Sequence, residues 1–551
     1  MTDSKRRTLL LGLSAAAAVA VATPLLLRRW RRHEHARLPE SLPFSSATTA
    51  DVTPFQQPLR VPGRDGLLAE VPLSQPLKLT AQIAAFSVFA GKPTAIWNYA
   101  GNIDGRAIAN PLLRVKRGEM IDVTLDNGLD EETTIHWHGL AVGEGNDGSG
   151  LHPVAAGAAT NYRFRVENRA GLYWYHAHPH MRTGMQLQRG LASLLLVEDD
   201  EEHALQERLG LKWGERDLPL LIADKQIDGD NAIVYKQGAD DWIGNRLLIN
   251  WTPEPYLDVL PALYRFRLAN VSNARMLRIA LVHQDQPLPF LLIGTDGGLL
   301  AKPWQVEDVF LAPAQRIDVL LDFSAMAAGE QVLLRSLEYV PMENEDESGA
   351  FMADPMADHP GATPMGAAFD LMQFCIAGCS DNLQPAIQQT RTNVIPEQLC
   401  KLDPPPDTQD WPVRSLRLRM DGEGTWFIND WNFHHTGHEP VFSVKRGTRE
   451  VWEIRNNMTS MPHPIHLHGF QFRVVSRSIS PPDIRARKVT DTGLGPQDLG
   501  WSDTVVVWPG EIVRIAIDFS QSLSGTQRYM LHCHNLEHED MGMMVTFAVT
   551  D

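Results

Sequence analysis

Short alternations of apolar and polar residues recur along this chain, as in Ile121-Asp122-Val123-Thr124-Leu125, Arg163-Phe164-Arg165-Val166 and Arg265-Phe266-Arg267-Leu268. Successive side chains of a strand point to opposite faces, so these runs predict half-buried β-strands. Long helical periodicities are scarce, and Gly, Pro and Asn punctuate the runs. The pattern is that of an all-β chain built from β-sandwich or Greek-key barrel units.

The units repeat. VKRGEMIDVTLDNGLDEETTIHWHG (115–139) resembles VKRGTREVWEIRNNMTSMPHPIHLHG (444–469), YWYHAH (173–178) resembles YMLHCH (529–534), and PAQRIDVLLDFS (313–324) resembles PGEIVRIAIDFS (509–520). Three related units follow one another, and only the outer two keep histidine motifs. With 551 residues the chain exceeds a single core. Domains are expected at 55–200, at 215–385 with an acidic, methionine-bearing insert at about 340–366, and at 410–551 after a Pro404–Asp407 linker.

The N-terminus differs from the rest. Residues 1–50 read as an export signal and linker: Arg6-Arg7 precede an apolar run from Leu9 to Leu27, with a small-residue cleavage site at Ala20-Val21-Ala22. This resembles a twin-arginine signal, with Lys5 and Leu9 departing from the usual residues. A run of that length is also just long enough for an uncleaved membrane anchor. Both readings place the body outside the cytoplasm, in the periplasm, with the twin-arginine export machinery as a partner. The formal net charge of −17 argues against nucleic acid and suits cationic substrates. Four cysteines do not make a disulfide scaffold. One pair among Cys375, Cys379 and Cys400 could be oxidised, while Cys533 stands alone between histidines.

Eleven of the twenty histidines fall in four clusters, IHWHG, YHAHPH, HPIHLHG and HCHNLEH. One His-x-His arises easily by chance; four, two per related unit, do not. Residues i and i+2 of a strand share a face, so His136/His138, His176/His178, His466/His468 and His532/His534 can converge as eight imidazoles on metal. Imidazole suits copper, iron and zinc alike. Cys533 projects to the opposite face, as does His463, three residues before His466. His538 and Met543 follow within a turn's reach. Two histidines, a thiolate and a weak thioether define a blue-copper electron-transfer centre.

With all four motifs complete, the chain from about residue 95 to 551 resembles the multicopper oxidases, the laccase-like family of three cupredoxin domains, and among them the bacterial periplasmic cuprous oxidases and laccases. The resemblance implies three consecutive cupredoxin-like domains and four copper ions. By motif position it implies type 1 copper on His463, Cys533, His538 and Met543, type 2 copper on His136 and His466, and a type 3 pair on His138, His176, His178, His468, His532 and His534. Ala177 occupies the place of Cys533 in the first unit, so only the last unit keeps a type 1 site. The family couples four one-electron oxidations to reduction of O2 to water. Asp147 and Glu539 stand where similar bacterial members carry carboxylates near the cluster, implying proton delivery and histidine orientation, or ordinary hydrogen bonding to the ligands.

The substrate is less sharply written. From Ser336 to Thr390 there is no Lys or Arg, but nine Asp/Glu and five Met. Thioethers suit Cu(I), and similar cuprous oxidases carry a methionine-rich insert over the type 1 copper. Met342, Met352, Met356 and Met365, with Met461 beside His463, are expected to bind a substrate metal; a flexible acidic loop with packing methionines is the competing reading. Met541 and Met544 read as packing. The expectation is a monomeric metallo-oxidase for Cu(I), with Fe(II) or Mn(II) as further substrates, acting in copper tolerance. The alternatives are a laccase for phenols or aromatic amines, and a non-catalytic copper-binding or structural cupredoxin-fold protein, which should have lost ligands that this chain retains.

Overall fold

The alternating runs pair into six sheets, taken two by two along the chain, in a computed structural model that describes residues 53–342, 359–377, 395–422 and 424–551. The export segment, Met352, Met356 and Cys379 lie outside the described residues. Among the described residues no helix is long and apolar enough to cross a membrane. Cys375 and Cys400 are free thiols.

Each pair of sheets encloses its own apolar layer. In the first, Leu79 and Ile121 of a six-stranded sheet meet Val115, Tyr173 and Leu195 of a five-stranded one. Leu220 and Phe266 meet Ile279 and Phe374 in the second, and Trp452 and Ile515 meet Ile465 and Val545 in the third. These are cupredoxin-type sandwiches. The internal repeat has a structural counterpart: Leu112–Lys116 pairs in parallel with Ala192–Glu198, and Ser443–Lys445 pairs in parallel with Met544–Thr550. Both strands run into the repeated Lys-Arg-Gly turn.

One strand departs from its sequence pattern. Leu263–Asn270 was expected to expose its arginines, yet it is buried along its whole length. The reason is electrostatic. The helix Asp200–Leu209 lays Glu202 over that face, and Arg265 and Arg267 share Glu202, Asp217 and Asp318 in a closed ionic network. Arg267 binds Asp217 through Nε and Nη2, each at 2.7 Å. Burial alone would raise Glu202 and Asp217, but the two guanidiniums outweigh it and hold both below the ordinary carboxylate range.

Two strand pairings set up the chemistry. His136–His138 runs antiparallel to Gly171–His176, with His176 opposite His136. His463–Leu467 runs antiparallel to Gln527–Cys533, with His466 opposite His532 and Ile465 opposite Cys533. Directly opposed side chains stand about 5 Å apart at Cβ, so each pairing concentrates imidazoles. The first and third units are tied together by the helices Thr183–Arg189 and Leu536–Asp540, where the Thr183 and Gly184 N–H groups donate to Asp540 Oδ1 and Oδ2 at 3.0 and 2.9 Å.

The buried network yields a stability prediction. Arg267→Ala leaves two carboxylates short of a partner and should destabilise the middle unit by about 3–5 kcal/mol, read as a lowered calorimetric melting transition. The depressed carboxylates contribute stability above their unfolded pKa of about 4 and lose it as pH falls through their lower folded values. The difference between variant and wild type should therefore be full near neutrality and shrink in acid.

Candidate metal centres

The eight paired histidines close on one another between the first and third units, none more than 1% exposed. His178, His468 and His532 stand at ring separations of 5.0 Å each. His138, His176 and His534 form a second trio at 5.1–5.7 Å. His136 and His466 remain, 5.8 Å apart, each stacked on a trio member: His136 on His468 at 4.0 Å and His466 on His138 at 3.7 Å.

Most outer nitrogens are held and several inner ones have no partner, while His532 Nε2 lies 3.0 Å from His468 Nε2 and 3.3 Å from His178 Nε2. His136 Nδ1 donates to the Asp147 carbonyl at 2.8 Å, His176 Nδ1 to the Ala177 carbonyl at 2.9 Å, and His466 Nδ1 to the Asp503 carbonyl at 2.8 Å. His138 is turned the other way, with Nε2 held by Asp503 Oδ1 at 3.0 Å. His136 Nε2, His138 Nδ1, His176 Nε2, His466 Nε2 and both nitrogens of His534 are buried without a protein partner. A buried polar atom left unpaired costs about 1–3 kcal/mol. So many in one chamber fit a bound metal, which takes their lone pairs. Burial pushes His136, His138, His176, His178, His466, His468 and His534 well below the usual histidine range, so the rings are neutral and free to ligate.

Three carboxylates frame the chamber. Asp147, at the end of the short helix Glu144–Asp147, holds His468 Nδ1 at 2.9 Å through Oδ2. Gly148 follows it at φ +69, where a Cβ would lie 1.7 Å from the Ile135 carbonyl, so the turn presenting Asp147 admits only glycine. Burial pushes the Asp147 carboxyl up, with His136 and Ser149 partly offsetting it. Glu539 lies 3.1 Å from His532 Nδ1 and 3.4 Å from His178 Nδ1. Burial acts to raise Glu539, but these two rings outweigh it and hold the carboxylate low, at about 2. The third carboxylate, Asp503, was not anticipated. It contacts His138 and His466 and is itself gripped by Arg316 of the middle unit. Its one sequence signal is a lone charge heading the apolar run Thr504–Val507.

The second site lies on the other side of the same strand. Cys533 Sγ is 3.5 Å from His463 Nδ1 and 3.6 Å from His538 Nδ1, all fully buried. The helix Leu536–Asp540 turns the chain back, and main-chain bonds from Met543 N to His538 O (2.8 Å) and from Cys533 N to Met543 O (3.1 Å) bring the buried Met543 alongside. Burial raises the Cys533 thiol well above its usual range; a bound cation would reverse that and fix the thiolate. Trp426 covers both histidines at 4.8 Å and 4.5 Å and donates its indole N–H to Asp240 Oδ1 at 2.9 Å. Asp240 Oδ1 is 3.6 Å from His538 Nε2. Sequence reading did not single out Trp426 or Asp240.

The methionines divide. Met365 and Met461 line one cavity with Met276, Asp241, Tyr339 and Asn535, beside the cysteine site. Met342 packs with Met276 and Met365 in the apolar cluster around Phe310 and Trp508. Met541 and Met544 pack in apolar clusters too. His180 stands against Phe433 and His434, outside the eight-histidine chamber.

Family models described as multicopper oxidase match residues 86–202 and 411–551. The chain is 30% identical to multicopper oxidase mco of Staphylococcus haemolyticus, over 82% of this chain and 83% of that one. It is also 30% identical to a laccase of Bacillus stratosphericus, over 82% and 90%. Among solved structures it is similar to the McoA multicopper oxidase of Aquifex aeolicus, with a TM-score of 0.77 and 34% identity over 90% of this chain and 99% of that one.

The two sites should separate by mutation. Loaded with copper, the chain should be intensely blue. Cys533→Ser should lose the colour and a single equivalent of copper while the histidine chamber keeps its own, as metal analysis would show. A colourless loaded wild type would disprove the cysteine site.

Proposed function

The chain belongs to the multicopper oxidase family, and from that premise we propose which residues do its work and what it oxidises. It is a copper-dependent oxidoreductase with O2 as electron acceptor. When bound, copper supplies one-electron redox chemistry, drawing four electrons in turn through the cysteine site to reduce O2 to water in the histidine chamber. We assign a type 1 ion to His463, Cys533, His538 and Met543, a type 2 ion to His136 and His466, and a type 3 pair to His138, His176 and His534 and to His178, His468 and His532. The two trios of ring separations support this division.

Cys533 acts through its covalent neighbours. The main chain joins it to His532 and His534, one in each trio, giving a through-bond route from the thiolate to both. Glu539 orients His532 and His178 as an ionised carboxylate. Asp147 serves as the proton donor: it is buried, its Oδ1 has no hydrogen-bond partner, and burial shifts its carboxyl toward the protonated form.

The substrate we infer is Cu(I), and the observation that carries it is the cavity lined by Met276, Met365, Met461, Asp241 and Asn535. Thioethers are soft ligands suited to Cu(I). Met461 lies two residues before His463, and Asn535 Nδ2 is 3.2 Å from His538 Nε2, so an ion held there adjoins the electron-entry ligands. Asp240, its side chain 43% exposed beside His538, favours cations at the same edge. Fe(II) and Mn(II), which prefer oxygen ligands, should be poorer substrates. The reading places the protein in copper tolerance outside the cytoplasm, exported by its twin-arginine-like segment and acting as a monomer. The laccase alternative predicts phenols as the faster substrates.

Steady-state O2 uptake with Cu(I), Fe(II), Mn(II) and a phenol decides between them. Cu(I) should be fastest, and Met365→Leu/Met461→Leu should lower its kcat/KM about tenfold, or ~1.4 kcal/mol, with phenol oxidation unchanged. A double variant that loses both activities equally, or neither, would contradict the cuprous reading. Separately, Asp147→Asn should slow reoxidation by O2 about 100-fold while anaerobic bleaching of the blue colour by substrate keeps its rate.

A further inference from the structure

The middle unit carries no histidine motif, yet one of its side chains reaches the chamber wall. Arg316, on the strand Arg316–Asp322, is 1% exposed and uses all five guanidinium N–H donors. Nε donates to the Leu172 carbonyl at 3.0 Å, on the strand that ends in His176. Nη1 donates to the Ala314 carbonyl at 3.0 Å and to Asp503 Oδ1 at 2.8 Å. Nη2 donates to the Asp296 carbonyl at 3.0 Å and to Asp503 Oδ2 at 2.6 Å. One side chain thus joins elements of all three units.

We propose that Arg316 is a positioning residue for the histidine chamber, acting through Asp503 on His138 and His466 together. A bidentate guanidinium–carboxylate pair is geometrically specific, so Arg316 fixes the Asp503 plane. Asp503 Oδ1 then holds His138 Nε2, and its main-chain carbonyl holds His466 Nδ1. Each ring is left with its other nitrogen buried and unpartnered, facing inward. Thr504 Oγ1 bonds the same Asp503 oxygen at 3.0 Å and lies 3.3 Å from His466 Nδ1, closing the support. There is no slack. Gly139, which ends the IHWHG motif, sits at φ +84 where a Cβ would lie 2.3 Å from Asp503 Oδ2 and 2.9 Å from Arg316 Nη2. Because His138 and His466 serve different coppers in the proposed assignment, on which this inference rests, a single arginine sets the ligand geometry of a type 2 ion and of one type 3 ion.

The test compares copper-loaded, dialysed wild type, Arg316→Gln and Asp503→Asn by copper per chain, blue absorbance and the electron paramagnetic resonance of the type 2 ion. Arg316→Gln should keep its blue colour but hold cluster copper about 10- to 100-fold more weakly, the usual effect of removing a residue that orients a metal ligand, with altered type 2 hyperfine splitting. Asp503→Asn keeps an oxygen for His138 but loses the charge that grips Arg316, and should shift the type 2 signal with smaller copper loss. Wild-type copper content and an unchanged type 2 signal in Arg316→Gln overturn the inference alone. So does parallel loss of blue and cluster copper with a collapsed melting transition of the copper-free variant, which makes Arg316 a structural strut. Should Arg316→Gln fail to accumulate, Asp503→Asn decides by the same signal. A wild type that carries only the blue copper overturns the chamber assignment and this inference with it.

Discussion

Buried nitrogen lone pairs without a protein partner set the terms for everything around them. An imidazole whose inner nitrogen has no protein partner keeps its orientation best when its outer nitrogen is held, as in His136, His138, His176 and His466. The chamber therefore needs acceptors around its rim: the main-chain carbonyls of Asp147, Ala177 and Asp503, and the carboxylates of Asp147, Glu539 and Asp503. Those groups come from loops and helix ends on both outer units, so the units must meet here. Asp540 clamps the two short helices at that junction, with burial and the neighbouring Glu539 raising its carboxyl.

Strand alternation adds a second constraint. The segment from His532 to His534 serves two sites because its odd and even positions face opposite ways. Tuning one face while leaving the other untouched is hard, since both hang from the same backbone and the same helix Leu536–Asp540 that follows. The middle unit compensates for this crowding by supplying groups from outside: Arg316 at the chamber, Asp240 at the cysteine site, and Met276 in the cavity beside it.

What was legible in the sequence was local. Strands, repeats, the four histidine motifs and the two-sided reading of Cys533 follow from a period of two and from spacings of a few residues. Asp147 and Glu539 came from resemblance, because nothing in their spacing alone distinguishes them from other acidic residues. Asp503, Arg316, Trp426 and Met276 were missed because their roles exist only after tertiary packing; in sequence each is an ordinary strand or core residue. The alternating Arg265–Leu268 stretch misled for a related reason. Its polar face is covered by a helix from the preceding connection, and charge pairing replaces solvent. Of the methionine insert, only Met342 and Met365 fall among the described residues, and only Met365 lines the cavity.

The interleaving of units has a consequence for biogenesis. Four chamber histidines belong to the first unit, which emerges early in synthesis and can fold as a unit. Its partners lie on and just beyond two strands of the third unit, and Arg316 belongs to the second. Until Gln527–Cys533 docks against His463–Leu467, the early histidines form an open half-site with free inner nitrogens and only the Asp147 and Ala177 part of the rim. Such a half-site binds divalent metals in order of affinity rather than of function. The complete ligand set exists only once the third unit has folded against the first.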